Sequence, residues 1–201
     1  MIEELWLIPL GFAAGILGSM IGLGGGIIMV PVLTFAGFTP TVAASNSLFA
    51  AFSNAIASTI SYSKQKRIKY SVGLKLGLLS VPGTILGAYI SSDVTPEIFK
   101  ILFGLVLVSS SIYIFLRRRF ESKQYDTSKL VTLLVIAASF FAGIISSFFG
   151  IGGGIIFVPL MIVAMRMGMK NAAPTYQLIL LFESFSGLVA HSILGHPDYF
   201  Q

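Results

Sequence analysis

The sequence contains no cysteine, and charged residues make up only 10% of its 201 positions. The absence of cysteine excludes disulfide bonds and thiolate metal sites. Hydrophobic residues account for 55% of the chain, which together with so few charges lies far outside the composition of soluble globular proteins. The net charge of +5 comes from basic residues in short loops between apolar runs, where they indicate topology rather than nucleic-acid binding. We therefore predict a multi-pass protein of the cell membrane.

The few charged residues leave two long segments without any charge. These segments are residues 5–63 and 130–165. Because a membrane-spanning helix needs about 20 residues, each segment must contain more than one crossing or a broken one. The apolar pattern also predicts unbroken helices over residues 41–62, 72–91, 98–116 and 172–193.

One glycine-rich segment occurs twice. Residues 19–31 have the sequence SMIGLGGGIIMVP and residues 147–159 have SFFGIGGGIIFVP, so nine of thirteen positions are identical at an offset of 128. We interpret this as an internal repeat, with a first transmembrane repeat over residues 1–128 and a second over residues 129–201. The second repeat is predicted to be incomplete, because two helices of the first repeat have no counterpart in it.

The basic residues predict how the chain crosses the membrane. The loops at residues 64–69 and 117–119 are separated by two predicted helices, and the positive-inside rule places both loops in the cytoplasm. If each glycine-broken segment crosses twice, Arg166 and Lys170 return to the cytoplasm and the two repeats are inverted. If each crosses once, the repeats are parallel. The charges favour the inverted arrangement. Since every predicted segment is helical, the predicted fold class is an all-α membrane protein with two repeats.

The doubled glycine pattern resembles a known family of membrane transporters. The pattern Gly-hydrophobic-Gly-Gly-Gly-x-x-x-Val-Pro at residues 22–31 and 150–159 is similar to the sulfite exporter TauE/SafE family, as are residues 43–48 and 82–88. The resemblance implies movement of small sulfur-containing anions, such as sulfite or organosulfonates, across the cell membrane. Family members are usually longer and have a complete second unit.

The physical reason for the glycines supports an anion site. Consecutive glycines disfavour a helix, so we predict a break at residues 22–26 and at residues 150–154. Inside a bilayer, such backbone is tolerated only where it is buried in protein or lines a cavity, and the N-terminus of the following helix favours an anion. Gly15 and Gly143 are predicted to allow close helix packing, and packing alone is the alternative interpretation of the consecutive glycines. The predicted substrate-binding residues are Gly24, Gly25, Gly26, Gly152, Gly153, Gly154, Asn46, Ser47, Thr175 and Gln177.

Glu183 is the one charged residue in the middle of an apolar helix. A carboxyl group inside a membrane is a functional candidate by default, and we predict that Glu183 carries a coupling proton. The alternative is a structural, hydrogen-bonded glutamate. His191 is expected near the membrane interface. Because no P-loop or dinucleotide pattern follows the glycines, we predict neither nucleotide hydrolysis nor a cofactor.

These patterns favour a secondary transporter of small anions that works by alternating access. One alternative is a non-transporting membrane scaffold or partner subunit. A membrane enzyme that uses Glu183 and His191 has less support, because no paired carboxylates or metal-ligand cluster accompanies them. The predicted partners are a small anionic substrate, membrane lipid, and either a second copy of the chain or a missing complementary segment.

Overall fold

The computed structural model describes residues 6–21, 24–92, 94–117, 129–163 and 165–195. These ranges contain eight helices and no strand, so the all-α prediction is confirmed for the part of the chain that they cover. Gly22, Asp93 and the second and third arginines of the predicted basic loop lie outside the described residues. The helices are α1 (Leu7–Ile21), α2 (Gly26–Phe35), α3 (Pro40–Lys64), α4 (Tyr70–Ser91), α5 (Pro96–Arg117), α6 (Lys129–Phe149), α7 (Gly154–Val163) and α8 (Met169–Ile193).

Both predicted helix breaks are present. The first lies between the end of α1 and the start of α2, and the second lies between α6 and α7. Within the breaks the backbone is left-handed at Gly24, Gly25, Gly150 and Gly152, with φ between 69° and 82°. Since residues with a Cβ rarely adopt this conformation, glycine is required at these positions to turn the chain between the helices.

Glycines also bring α4 close to α6. Gly83 and Gly87 lie against the carbonyl oxygens of Phe140 and Ile144, where an added Cβ would come within 2.1 and 2.3 Å of them. From the other side, a Cβ at Gly143 would lie 2.2 Å from a backbone oxygen of α4. The packing role predicted for Gly143 is therefore confirmed. α4 packs most extensively against α6 and α8.

The side-chain contacts fix the relative direction of α3 and α8. Leu48, near the start of α3, lies against Gly187, near the end of α8. The backbone N–H of Lys69, just after α3, donates to the hydroxyl of Thr175, near the start of α8. The two helices therefore run antiparallel.

The outer surface of the helices is largely apolar. α4 is long and apolar enough to cross a membrane by length and composition, and α1, α2 and the second part of α6 are shorter apolar helices. Large hydrophobic side chains such as Phe12, Phe35, Tyr89 and Ile193 are exposed on this surface. Many polar side chains are instead buried, among them Ser47, Gln177, Glu183 and His191.

Candidate functional site

The two helix breaks touch each other in the protein interior. A Cβ at Gly26 would lie 2.4 Å from the carbonyl oxygen of Gly150 and 2.5 Å from the Cα of Ile151. Gly150 in turn lies against the backbone of Ala44 on α3, where a Cβ would come within 2.4 Å of its oxygen. The described residues of both breaks are buried. The breaks thus meet through backbone atoms, with glycine providing the space.

The N-terminus of α7 holds a carboxyl group of the protein itself. The backbone N–H of Gly153 donates to Glu183 Oε2 at 3.0 Å, and the hydroxyl of Tyr176 donates to the same oxygen at 3.4 Å. Both side chains are completely buried. Because the first amide groups of a helix and its dipole favour negative charge, this position suits an anionic group.

The corresponding position in the predicted first repeat carries an amide. The sequence of α8 aligns with that of α3 at an offset of 129, one more than between the two glycine segments, so Asn54 corresponds to Glu183. Its Oδ1 accepts a hydrogen bond from the Ser58 hydroxyl at 3.3 Å, and its Nδ2 has no hydrogen-bond partner among the described residues. The two predicted repeats therefore differ at this position, with an amide in one and a carboxyl group in the other.

One hydrogen bond recurs at corresponding positions of the two predicted repeats. The hydroxyl of Tyr62 donates to the carbonyl oxygen of Ser19 at 3.3 Å. In the second repeat, Nε2 of His191 lies 3.1 Å from the carbonyl oxygen of Ser147, to which it donates. His191 is completely buried against the protein, and its position near the membrane interface stays a prediction. This side chain joins the end of α8 to the end of α6.

Two of the predicted polar side chains, Ser47 and Thr175, lie in different parts of the protein. The hydroxyl of Ser47 donates to the carbonyl oxygen of Gly150 at 2.7 Å, so this residue lies at the second break. Thr175 instead lies beside the α3–α4 loop, where its hydroxyl donates to the carbonyl oxygen of Asn171 and accepts from Lys69. Asn46 is half-buried on α3, and Gln177 is completely buried on α8.

Several buried polar atoms lack a hydrogen-bond partner among the described residues. They include both amide atoms of Gln177, the second oxygen of Glu183, and the hydroxyls of Ser146 and Ser147 at the end of α6. Burying an unpaired polar atom costs about 1–3 kcal/mol, so such a group of atoms is found where a polar species binds or where function requires it. Sequence reasoning missed Tyr176, Ser146 and Ser147. The signal for Ser147 was present, because it lies in the repeated segment.

A comparison with known families identifies the chain. The family model described as Sulfite exporter TauE/SafE matches residues 7–200. The chain belongs to the TauE/SafE family. The predicted multi-pass location in the membrane is confirmed, and the chain belongs among membrane transporters rather than enzymes.

Relatives from bacteria, archaea and plants are similar to this TauE/SafE family member. It is 33% identical to the probable membrane transporter protein YunE of Bacillus subtilis, over 96% of this chain and 80% of that protein. It is 30% identical to a probable membrane transporter protein of Methanocaldococcus jannaschii, over 98% of this chain and 77% of that protein. A Sulfite exporter TauE/SafE family protein 6 of Arabidopsis thaliana is 28% identical over 52% of this chain and 24% of that protein. No solved structure matches the chain.

Proposed function

We propose that this TauE/SafE family member is a secondary transporter of small anions, of the sulfite or organosulfonate class, with its substrate site at the two glycine breaks. The observation that carries the proposal is the hydrogen bond from the Gly153 N–H to a buried carboxyl group. It supports the view that the N-terminus of α7 can hold an anionic oxygen inside the protein. The sulfur chemistry of the substrate comes from the family resemblance.

The groups that we propose for the site have the chemistry that a small oxyanion needs. Backbone N–H groups after the glycines, the amide of Gln177 and the hydroxyl of Ser146 are hydrogen-bond donors, and the last two have no partner among the described residues. Glycines let the backbone approach a ligand because no Cβ intervenes. Ser47 supports the site from α3 by fixing the carbonyl oxygen of Gly150.

We also propose that the two repeats are inverted, which supplies a route for alternating access. α3 and α8 occupy corresponding positions in the repeats, and their antiparallel directions support this arrangement. The recurring hydrogen bonds of Tyr62 and His191 support the correspondence of the two helices. In transporters built from inverted repeats, the substrate site lies at the repeat interface near the middle of the membrane, where broken helices meet.

Ligand-dependent stability of the purified chain tests the proposed function. Its thermal unfolding in detergent would be measured with sulfite, methanesulfonate, sulfate, thiosulfate and chloride. An anion at 100 times its dissociation constant stabilises the folded protein by about 2.7 kcal/mol. We expect at least one sulfur oxyanion to stabilise the parent protein. Failure of every anion would contradict the proposal and favour a non-transporting membrane scaffold or partner subunit.

Two glycine variants separate a substrate site from general destabilisation. Gly153→Val should abolish the effect of the anion, because its Cβ would lie 2.6 Å from Glu183 Oε1 and so crowd the N-terminus of α7. Gly104→Val is the matched control, since no heavy atom lies within 4 Å of a Cβ at that position in α5. Retained anion binding in Gly153→Val would show that the substrate binds elsewhere.

A further inference from the structure

We propose that the carboxylate of Glu183 is a tethered anion that occupies the same amide site as the substrate, so that substrate binding requires a proton on Glu183. This inference rests on the proposed function, in which a small anion binds at the glycine breaks. To the coupling proton predicted for Glu183 it adds the reason that the substrate requires it, the number of protons and the atom that takes up the proton. It also explains why the second repeat carries a carboxyl group where the first carries the amide of Asn54.

The carboxyl group of Glu183 fills the position in front of α7. Glu183 Oε2 accepts the N–H of Gly153 at 3.0 Å, and Oε1 would lie 2.6 Å from a Cβ at the same glycine. The ring of Phe157 lies 2.9 Å from that Cβ position. A substrate oxygen therefore reaches the Gly153 N–H only if the carboxyl group moves away from it.

The ionised carboxylate of Glu183 and the substrate anion both carry negative charge. The groups that bind Glu183 Oε2 are a backbone N–H and a phenol, and neither is a cation. A substrate anion beside the ionised carboxylate would meet a second negative charge in a buried site, where repulsion is strong. Glu183 Oε1 has no hydrogen-bond partner among the described residues, so it is the atom available to a proton. The protonated carboxyl group is neutral and can donate this proton to an oxygen of the bound anion.

Few ionisable groups lie on the helices around Glu183. On α8, Tyr176 donates to its carboxylate, and His191 is held by the carbonyl oxygen of Ser147. α1 and α7 contain no ionisable side chain. The remaining ionisable residues on α8 and on the helices packed against it are Lys170 on α8 and Tyr62, Lys64, Tyr70, Lys75, Tyr89 and Lys129 on its neighbours. Because Asn54 cannot ionise, the two repeats together provide one such carboxyl group, and we expect one proton for each anion.

The test measures anion affinity as a function of pH. Methanesulfonate, sulfate and thiosulfate serve as probes because their charges stay constant between about pH 5 and pH 9. Where Glu183 is ionised, the affinity of the parent protein should fall about tenfold for each unit of rising pH, since one proton must bind with each anion. Glu183→Gln keeps the shape of the side chain without its charge, and it should bind the anion with the same affinity at every pH.

A matched control and a second measurement make the test decisive. Glu97→Gln removes an exposed carboxyl group at the start of α5, so it should retain the pH dependence of the parent protein. Calorimetry of the parent protein in buffers of different ionisation enthalpy counts protons directly, and we expect uptake to approach one proton per anion as pH rises. This count decides the question even if Glu183→Gln does not fold.

The outcomes separate this inference from the proposed function. Binding that is independent of pH, or that takes up no proton across the range, would overturn the tethered-anion inference and leave the anion site intact. If Glu183→Gln still binds the anion in a pH-dependent way, the tethered-anion inference is overturned as well. If none of the probes binds at any pH, the proposed function fails and this inference fails with it.

Discussion

The contact between the two helix breaks can be tested by adding a single methyl group. In Gly26→Ala, the new Cβ would lie 2.4 Å from the carbonyl oxygen of Gly150 and 2.5 Å from the Cα of Ile151. An ordinary van der Waals contact between a Cβ and another heavy atom begins near 3.4 Å, so the two breaks must separate by about 1 Å to accommodate the methyl group. Both opposing atoms belong to the backbone and cannot rotate away. Since overpacking a buried site costs about 1–3 kcal/mol, we expect a loss at the upper end, about 3 kcal/mol.

Unfolding in mixed micelles would measure this loss. The free energy of unfolding of Gly26→Ala would be compared with that of the parent protein and of Gly104→Ala, in which the new methyl group meets no heavy atom within 4 Å. Because alanine favours a helix over glycine, the control should be as stable as the parent or slightly more stable. Gly26 has no left-handed φ that alanine would strain, so steric contact is the tested cause. Equal stability of the two variants would refute the proposed contact between the breaks.

Three further predictions concern helix packing and topology. Gly143→Ala should lower the free energy of unfolding by about 2 kcal/mol, because its Cβ would lie 2.2 Å from a backbone oxygen of α4, whereas Gly11→Ala should leave it nearly unchanged. Tyr62→Phe should cost about 1 kcal/mol in the same assay through the loss of its hydrogen bond to α1. Because the chain has no cysteine, Arg67→Cys and Lys170→Cys can be labelled singly, and inverted repeats predict that both react only from the cytoplasmic side. Labelling from opposite sides would support parallel repeats instead.

The positions of the breaks could be predicted because they depend on local chemistry. Consecutive glycines weaken a helix wherever they occur, and α1 and α6 both end at the repeated segment. Helix ends were predicted less well, since α8 begins at Met169 rather than at residue 172. Gly168, with its extended ψ of 148°, allows the helix to start earlier, and no apolar pattern indicates this.

The partners of the polar residues could not be predicted, because they depend on how distant helices pack. Glu183 was identified from its charge alone, but its hydrogen bond to Gly153 joins α8 to α7 across thirty residues. Thr175 matches Asn46 in the repeat, yet its hydroxyl binds the backbone of Lys69 in the other half of the chain. The contact of His191 with the carbonyl oxygen of Ser147 at the end of α6 likewise joins residues that are far apart in the sequence.

The contact between the two breaks constrains the sequence differently from a core of packed side chains. Gly26 meets Gly150 and Ile151 through main-chain atoms, which are the same in every amino acid. Side chains in the two glycine segments can therefore differ, as Met29 and Phe157 do at matching positions. The contact requires only that a few positions carry no Cβ. The same backbone contact is thus compatible with different chemistry in the two segments of the chain, such as the buried carboxyl group of Glu183 on one side and the amide of Asn54 on the other.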